Sequence, residues 1–423
     1  MTRIEQAVSG KITDEVKIVS EAEKVEPETV RKRLANGRVI IARNRLRGDL
    51  VPMGIGEGLK TKINSNVGSS KDAQDLETEI EKARVSVEAG ADTIMDLSTG
   101  GDLKKIRAEI IRVANVPLGT VPIYEAAVHA VSRSKSFLEM TADEMFQVVE
   151  EQAKSGVDFM TIHCGVTREA KARMDAEGRI TGVVSRGGAL LLEWMRFNKA
   201  ENPFFEKYDR LLEILREYDI TISLGDGFRP GAGADATDRA QIQELIILGE
   251  LCERALKAGV QAMVEGPGHV PINQIVTNIQ LQKRLCHGAP FYVLGPLVTD
   301  CAPGYDHISA SIGGAIAAAA GADYLCYVTA SEHLRLPTVE DVREGVIASK
   351  IAAHAADIAK GIPGAAERDA EMSRRRKALD WEGMFKYSLD PVKARALRGS
   401  STPSDSDVCT MCGPFCAIKV QKK

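Results

Sequence analysis

The 423-residue chain has no apolar run approaching the roughly 20 residues that a bilayer-spanning helix needs. Its most membrane-like segment, IGGAIAAAA at 312–320, is short, made of small residues and soon followed by Asp323, so it reads as a buried helix lying close to a sheet. The N-terminal stretch MTRIEQAVSGKITDEVK carries charge throughout and lacks the apolar core of a secretory leader. Aromatic residues are scarce, at 5%, no basic stripe interleaves with them, and the net charge is only −4, so no nucleic-acid partner and no membrane are expected. A disulfide framework is also missing. Eight cysteines in a long chain without a leader suit thiols that are buried or that ligate metal, in a cytoplasmic protein.

What is present is a core-forming composition, 44% hydrophobic and 27% charged, on a length that accommodates an α/β barrel with added parts. From about residue 60 to 330, short β-branched runs alternate with amphipathic helical stretches. The runs are TKINSNVG, TIMDLST, LGTVPIY, FMTIHCGV, GVVSRGG, TISLGDG, AMVEGPGH, FYVLGPL and YLCYVT. This rhythm predicts a (β/α)8 TIM-type barrel over 61–335, preceded by a small accessory domain at 1–60 and followed by a helical domain at 336–400 and a tail at 401–423. The runs exceed a barrel's eight strands by one, so one of them is expected to be a hairpin or a strand ahead of the barrel. The segment STPSDSD reads as a flexible linker.

Polar residues recur at the carboxyl ends of these runs: Asn66, Asp96, Tyr124, His163, Ser185-Arg186-Gly187, Asp226-Gly227, Glu265, His269, and Thr329 through His333. A barrel gathers such ends around one mouth, where its chemistry sits. Turns are polar in any case, but His, Glu, Arg and Tyr recur here where Gly, Asn and Ser would suffice. GDGFRPG and VSRGG combine glycines, which let an anion approach the backbone, with Arg229 and Arg186, which can present paired donors to phosphate or carboxylate. Asp226 and Glu265 are candidates for proton transfer or for binding ring nitrogens and hydroxyls. His269 and His333 follow separate runs and would share a rim, where two imidazoles with open positions can hold a divalent metal; His163 would join them or touch substrate. Read singly, each is an ordinary polar contact. Cys164, Cys252, Cys286, Cys301 and Cys326 read as buried small residues, and His287 and His354 as structural.

In the tail, Cys409, Cys412 and Cys416 form C-x2-C-x3-C, with no histidine closer in sequence than His354. Structural zinc takes four protein ligands. Three thiolates suit better a [4Fe–4S] cluster with one iron left open, a position that S-adenosylmethionine can chelate.

The motifs NSN, MDLSTGGD, GTVPIY, TIHCGV, VSRGG, GDG-RPG, EGPGHVP, LGPLVTD, APGYDH, EHL-LP, AAHAADIAKG and CTMCG resemble the thiamin pyrimidine synthase family of non-canonical radical S-adenosylmethionine enzymes. The resemblance implies a barrel with an N-terminal and a helical C-terminal domain, a homodimer in which the tail serves the neighbouring subunit, an electron donor such as a flavodoxin or ferredoxin, and the substrate 5-aminoimidazole ribotide. Substrate contacts would fall on Asn66, Met95, Tyr124, His163, Ser185, Arg186, Gly187, Asp226, Gly227, Phe228, Arg229, Glu265 and Tyr292, with Glu265, Asp226 and Tyr292 as the catalytic candidates. A zinc or iron ion would fall on His269 and His333, and the [4Fe–4S] cluster on Cys409, Cys412 and Cys416.

Two activities in this family use that substrate. One makes hydroxymethylpyrimidine phosphate for thiamin; the other makes 5-hydroxybenzimidazole for the lower ligand of cobamides. The sequence departs from the usual thiamin-branch pattern at IARN (Ala42), at VTAS (Ala330) and at Cys301, and those departures, with Ala330 and Cys301 expected to line the pocket, point to the benzimidazole paralogue, the pyrimidine synthase being the alternative. A metal-dependent barrel lyase or aldolase with a metal-binding tail is the reading from another class.

Overall fold

The computed structural model describes residues 1–401 and 406–421. Strands β1 (Val39–Ile41) and β2 (Gly54–Gly56) pair as an antiparallel hairpin. Strands β3 (Lys62–Val67), β4 (Thr93–Asp96), β5 (Leu118–Thr120), β6 (Phe159–Ile162), β7 (Thr221–Leu224), β8 (Ala262–Gly266), β9 (Phe291–Leu294) and β10 (Tyr324–Cys326) form a closed parallel barrel in sequential order, β10 returning to β3. The fold is therefore the expected TIM-type α/β barrel.

The surplus run is GVVSRGG. Its Val-Val pair mimics a strand, but residues 182–185 are loop, because Ser185 caps the helix Arg186–Asn198 with its Oγ accepting from Gly188 N at 3.2 Å. The hairpin read as the odd element is instead formed by VIIARN and the segment around Gly54–Gly56.

Residues 1–60 fold as the helices Arg3–Val8, Asp14–Glu23 and Pro27–Ala35 plus the hairpin, around a small core of Ile4, Val16, Val19, Val30, Leu34, Val39 and Ile41. They attach at residues just ahead of barrel strands: Arg3 N donates to Asp219 Oδ2 at 3.1 Å, Asn44 N to Asp158 Oδ1 at 2.8 Å, and Ile41 N to Gln261 Oε1 at 2.6 Å. Because these anchors precede β7, β6 and β8, the N-terminal segment covers the amino end of the barrel and leaves the carboxyl ends to the site.

Contacts divide the chain into two compact units, Met1–Ala356 and Asp357–Lys423. The second holds the helices Ala365–Ala378, Trp381–Tyr387 and Pro391–Gly399 and the cysteine motif. Among the described residues no helix is long and apolar enough to cross a membrane.

Candidate active site

Inward-facing side chains fill the barrel in layers. Low in it, Thr93 Oγ1 donates to Asn64 Oδ1 at 2.8 Å, Tyr324 bonds to Thr93, and the Tyr324 ring stacks on Tyr292 with centroids 4.1 Å apart. Above that floor lies a cavity lined by Asn66, Met95, Tyr124, His163, Asp226, Arg229, Glu265, Tyr292 and Cys326, with Leu97, Val121, Thr161, Gly266, Val293 and Leu294 completing the wall. Eight residues expected to meet substrate thus surround one space, at the strand ends where a barrel builds its active site.

The rest of the expected set stands one step back. Ser185 is buried with Oγ 3.1 Å from His163 Nε2. Gly187 supports the same ring, since a Cβ there would lie 2.2 Å from His163 Cε1. Arg186 is exposed and carries its guanidinium 4.9 Å above the Tyr124 ring. Gly227 and Phe228 belong to the loop that presents Asp226 and Arg229, with Phe228 fully buried.

Electrostatics in the cavity follow from burial around one cation. Arg229 Nη1 meets Asp226 Oδ1 at 3.2 Å, and Asp226 Oδ2 is buried without a partner. Burial raises Asp226 to about 8 against the pull of Arg229, with repulsion from Glu265 adding to the rise. Burial likewise raises Glu265, opposed by hydrogen bonds to its Oε1 from Thr161 Oγ1 (2.7 Å) and Ser223 Oγ (3.2 Å). His163 is pushed down to about 3 by burial and then by Arg229, so its imidazole is neutral, with Nδ1 unpartnered. Near neutral pH the cavity holds a guanidinium, an Asp226 carboxyl inclined to keep its proton, a Glu265 carboxyl whose hold on a proton burial strengthens, and an uncharged imidazole.

Some contributors were not legible as site residues. Cys326, read as a small buried residue, lines the cavity and accepts from Asn66 Nδ2 at 3.1 Å, with burial pushing its thiol up to about 11. Alternation along β10 from the inward Tyr324 was the available signal. Thr161 and Ser223 come from the same alternation on β6 and β7. In the other direction, Cys301 is exposed rather than buried, and neither it nor Ala330 lines the cavity.

His269 and His333 meet at the rim with ring centroids 5.2 Å apart. His269 Nδ1 lies 2.7 Å from Asp300 Oδ1, and His333 Nδ1 lies 3.5 Å from Asp306 Oδ1, so each imidazole is backed by a carboxylate at Nδ1 and its Nε2 is left to another partner. His333 adopts φ +63°, a left-handed conformation unusual outside glycine. Asp300 and Asp306 escaped the sequence reading because a backing carboxylate has no fixed spacing from its histidine.

In the second unit, Cys409 and Cys416 are half-buried, Cys412 is exposed, and all are free thiols. Gly413 N donates to Cys409 O at 3.3 Å and a 3-10 turn follows over Gly413–Phe415. Residues 402–405 of the expected linker lie outside the described residues. Beyond them, Asp407 O accepts from Trp381 Nε1 at 3.0 Å and Val408 O from Arg398 Nη2 at 3.0 Å, which tethers the segment to its neighbouring helices. Among the described residues no group of three or more His, Cys, Asp or Glu side chains is gathered closely enough to hold a metal. Three free thiols with solvent access still match the donor chemistry of an iron–sulfur cluster.

A closed parallel barrel with a buried polar cavity at the carboxyl ends of its strands defines a TIM-barrel enzyme. The chain belongs to the radical SAM ThiC family, whose model matches residues 2–423. It is 62% identical to the phosphomethylpyrimidine synthase of Geobacter metallireducens over 99% of this chain and 96% of that one. It is 57% identical to the phosphomethylpyrimidine synthase of Syntrophus aciditrophicus over 100% and 99% of the two chains, and 58% identical to that of Moorella thermoacetica over 99% and 97%. Membership implies a [4Fe–4S] cluster and S-adenosylmethionine.

Proposed function

We propose that this chain is a phosphomethylpyrimidine synthase that rearranges 5-aminoimidazole ribotide into the phosphorylated pyrimidine of thiamin. The observation that carries the reading is the cavity at the strand ends in which Arg229, Asp226, Glu265 and a neutral His163 converge, in a chain alike over 99–100% of its length to relatives bearing that name. The pyrimidine branch is preferred to the benzimidazole one because the relatives of high identity bear the pyrimidine synthase name. Of the residues behind the benzimidazole reading, Cys301 and Ala330 do not line the cavity, and Ala42 lies in the N-terminal segment, where its N–H donates to Met53 O at 3.3 Å.

When bound, the cluster and S-adenosylmethionine supply the electron and the deoxyadenosyl radical that begin the rearrangement; Cys409, Cys412 and Cys416 are the residues that would hold the cluster. The barrel residues do the rest. Arg229 offers a half-buried cation to the anionic substrate, kept in place by Asp226. Asp226 and Glu265, raised by burial, donate protons to the imidazole nitrogens or ribose hydroxyls and take them back as the ring is rebuilt. His163 exchanges a hydrogen bond at Nδ1 without carrying charge, and Tyr292 and Met95, joined by a 3.5 Å O–H to sulfur contact, wall the ring side. His269 and His333 would hold one zinc or iron ion through Nε2, with further positions open to substrate. A homodimer whose tail serves the neighbouring subunit, and a flavodoxin or ferredoxin as donor, complete the proposal.

The test is anaerobic incubation of the reconstituted enzyme with 5-aminoimidazole ribotide, S-adenosylmethionine and dithionite, with products identified by mass. A phosphorylated hydroxymethylpyrimidine is expected. Formation of 5-hydroxybenzimidazole would overturn the proposed branch.

A further inference from the structure

Asp226 and Arg229 reach the cavity from the loop at 225–230, yet their mutual contact is internal to that loop and cannot fix it against the barrel. The backbone is fixed from two sides. Gly227 N donates to Glu244 Oε1 and Phe228 N to Glu244 Oε2, each at 2.8 Å. Opposite them, Arg179 Nη2 donates to Phe228 O at 2.7 Å and Arg179 Nη1 to Arg229 O at 3.4 Å. Arg179 is itself gripped by Asp238, with Nε and Nη2 each 2.6 Å from a carboxylate oxygen.

Both clamps come from one helix. Asp238 is the N-cap of Arg239–Lys257, accepting from Gln241 N at 2.8 Å, and Glu244 lies further along the same helix. The fit is close: a Cβ on Gly227 would lie 2.1 Å from Val166 Cγ2, and one on Gly165 would lie 2.8 Å from Glu244 Cγ. Glu244 is 2% exposed, and neither it nor Arg179 lines the cavity. Burying the Arg179 guanidinium and the Glu244 carboxyl is costly unless their hydrogen bonds are satisfied, and here those bonds go to consecutive backbone groups beside the residues that face substrate.

We propose that Glu244 and Arg179 are positioning residues of the reaction, setting the reach and orientation of Asp226 and Arg229 toward the substrate. The substrate arm of the test rests on the function proposed above. A purely structural role would lower the folded fraction and leave the remaining enzyme with its ordinary substrate affinity.

Glu244→Gln keeps the volume but can accept only one of the two N–H groups; Arg179→Lys keeps the charge beside Asp238 but cannot span both carbonyls. Both variants are compared with the parent, reconstituted, by hydrogen exchange of the segment at 225–230, by KM and kcat for 5-aminoimidazole ribotide, and by deoxyadenosine formed per product. Exchange at Gly227 and Phe228 is expected to accelerate about tenfold while β6 and β8 stay protected, and KM to rise about tenfold or more, with deoxyadenosine exceeding product because the substrate is misplaced. Exchange and KM both within about twofold of the parent would overturn the inference. If Glu244→Gln does not fold, Arg179→Lys decides by the same readings. A parent that ignores 5-aminoimidazole ribotide counts against the proposed function, and hydrogen exchange alone then decides this inference.

Discussion

The rim cavity and the C-terminal cysteine segment arrange their reactive groups in opposite ways. Cavity residues are dispersed in sequence from Asn66 to Cys326, and packing within the barrel brings them together, buried or half-buried, with hydrogen bonds among them. The cysteines are neighbours in sequence, at Cys409, Cys412 and Cys416, yet half-buried or exposed and not gathered into a metal-holding cluster. The difference teaches that folding energy preorganises the cavity groups, whereas the thiols are left for a ligand to organise, binding energy taking the place of packing.

The largest expected effect separates the two regions outright. Cys412→Ala should abolish turnover and the cluster's visible absorbance, while substrate affinity and the melting temperature of the apoprotein stay unchanged to within about 2 °C, since exposed substitutions away from packed features move stability little. A parallel loss of substrate affinity would break the contrast. Glu265→Gln should do the converse. It keeps an acceptor for Thr161 and Ser223, so fold and cluster absorbance persist, while kcat/KM falls about 10²- to 10⁴-fold, the range for losing a proton-transferring group. Normal turnover by this variant would remove Glu265 from the chemistry.

The smallest effect concerns the cost of burying the cavity groups. His163 titrates near 3 when folded, against about 6.5 when unfolded, so below about pH 6.5 the unfolded chain binds more protons and stability falls as pH drops. Between about pH 6.5 and pH 4.5 this contributes on the order of 2 kcal/mol of destabilisation, which His163→Gln should remove. Melting temperatures of parent and variant across that interval check it, and parallel curves would mean that the imidazole is not buried as described.

The barrel was legible because its apolar runs and helical stretches alternate, and the rim because polar residues such as Asn66, His163, Asp226 and Glu265 follow those runs. GVVSRGG resembles a strand through its two β-branched residues, but the Ser185 cap makes it the entry to a helix. Ala330 stands three residues before His333 and Cys301 on a loop that follows a strand, but neither position says which direction a loop takes, and neither residue lines the cavity.

Local order in the chain, its periodicity and its cysteine spacing, determined the fold class, the face that carries chemistry and the three thiols suited to a cluster. Tertiary structure alone decided that Cys326 joins the cavity, that Asp300 and Asp306 stand behind the rim histidines, and that Glu244 holds the loop of Asp226 and Arg229. The reason is physical: periodicity is a property of neighbouring residues, whereas burial, pairing and the resulting protonation state arise between residues that only the closed barrel brings together.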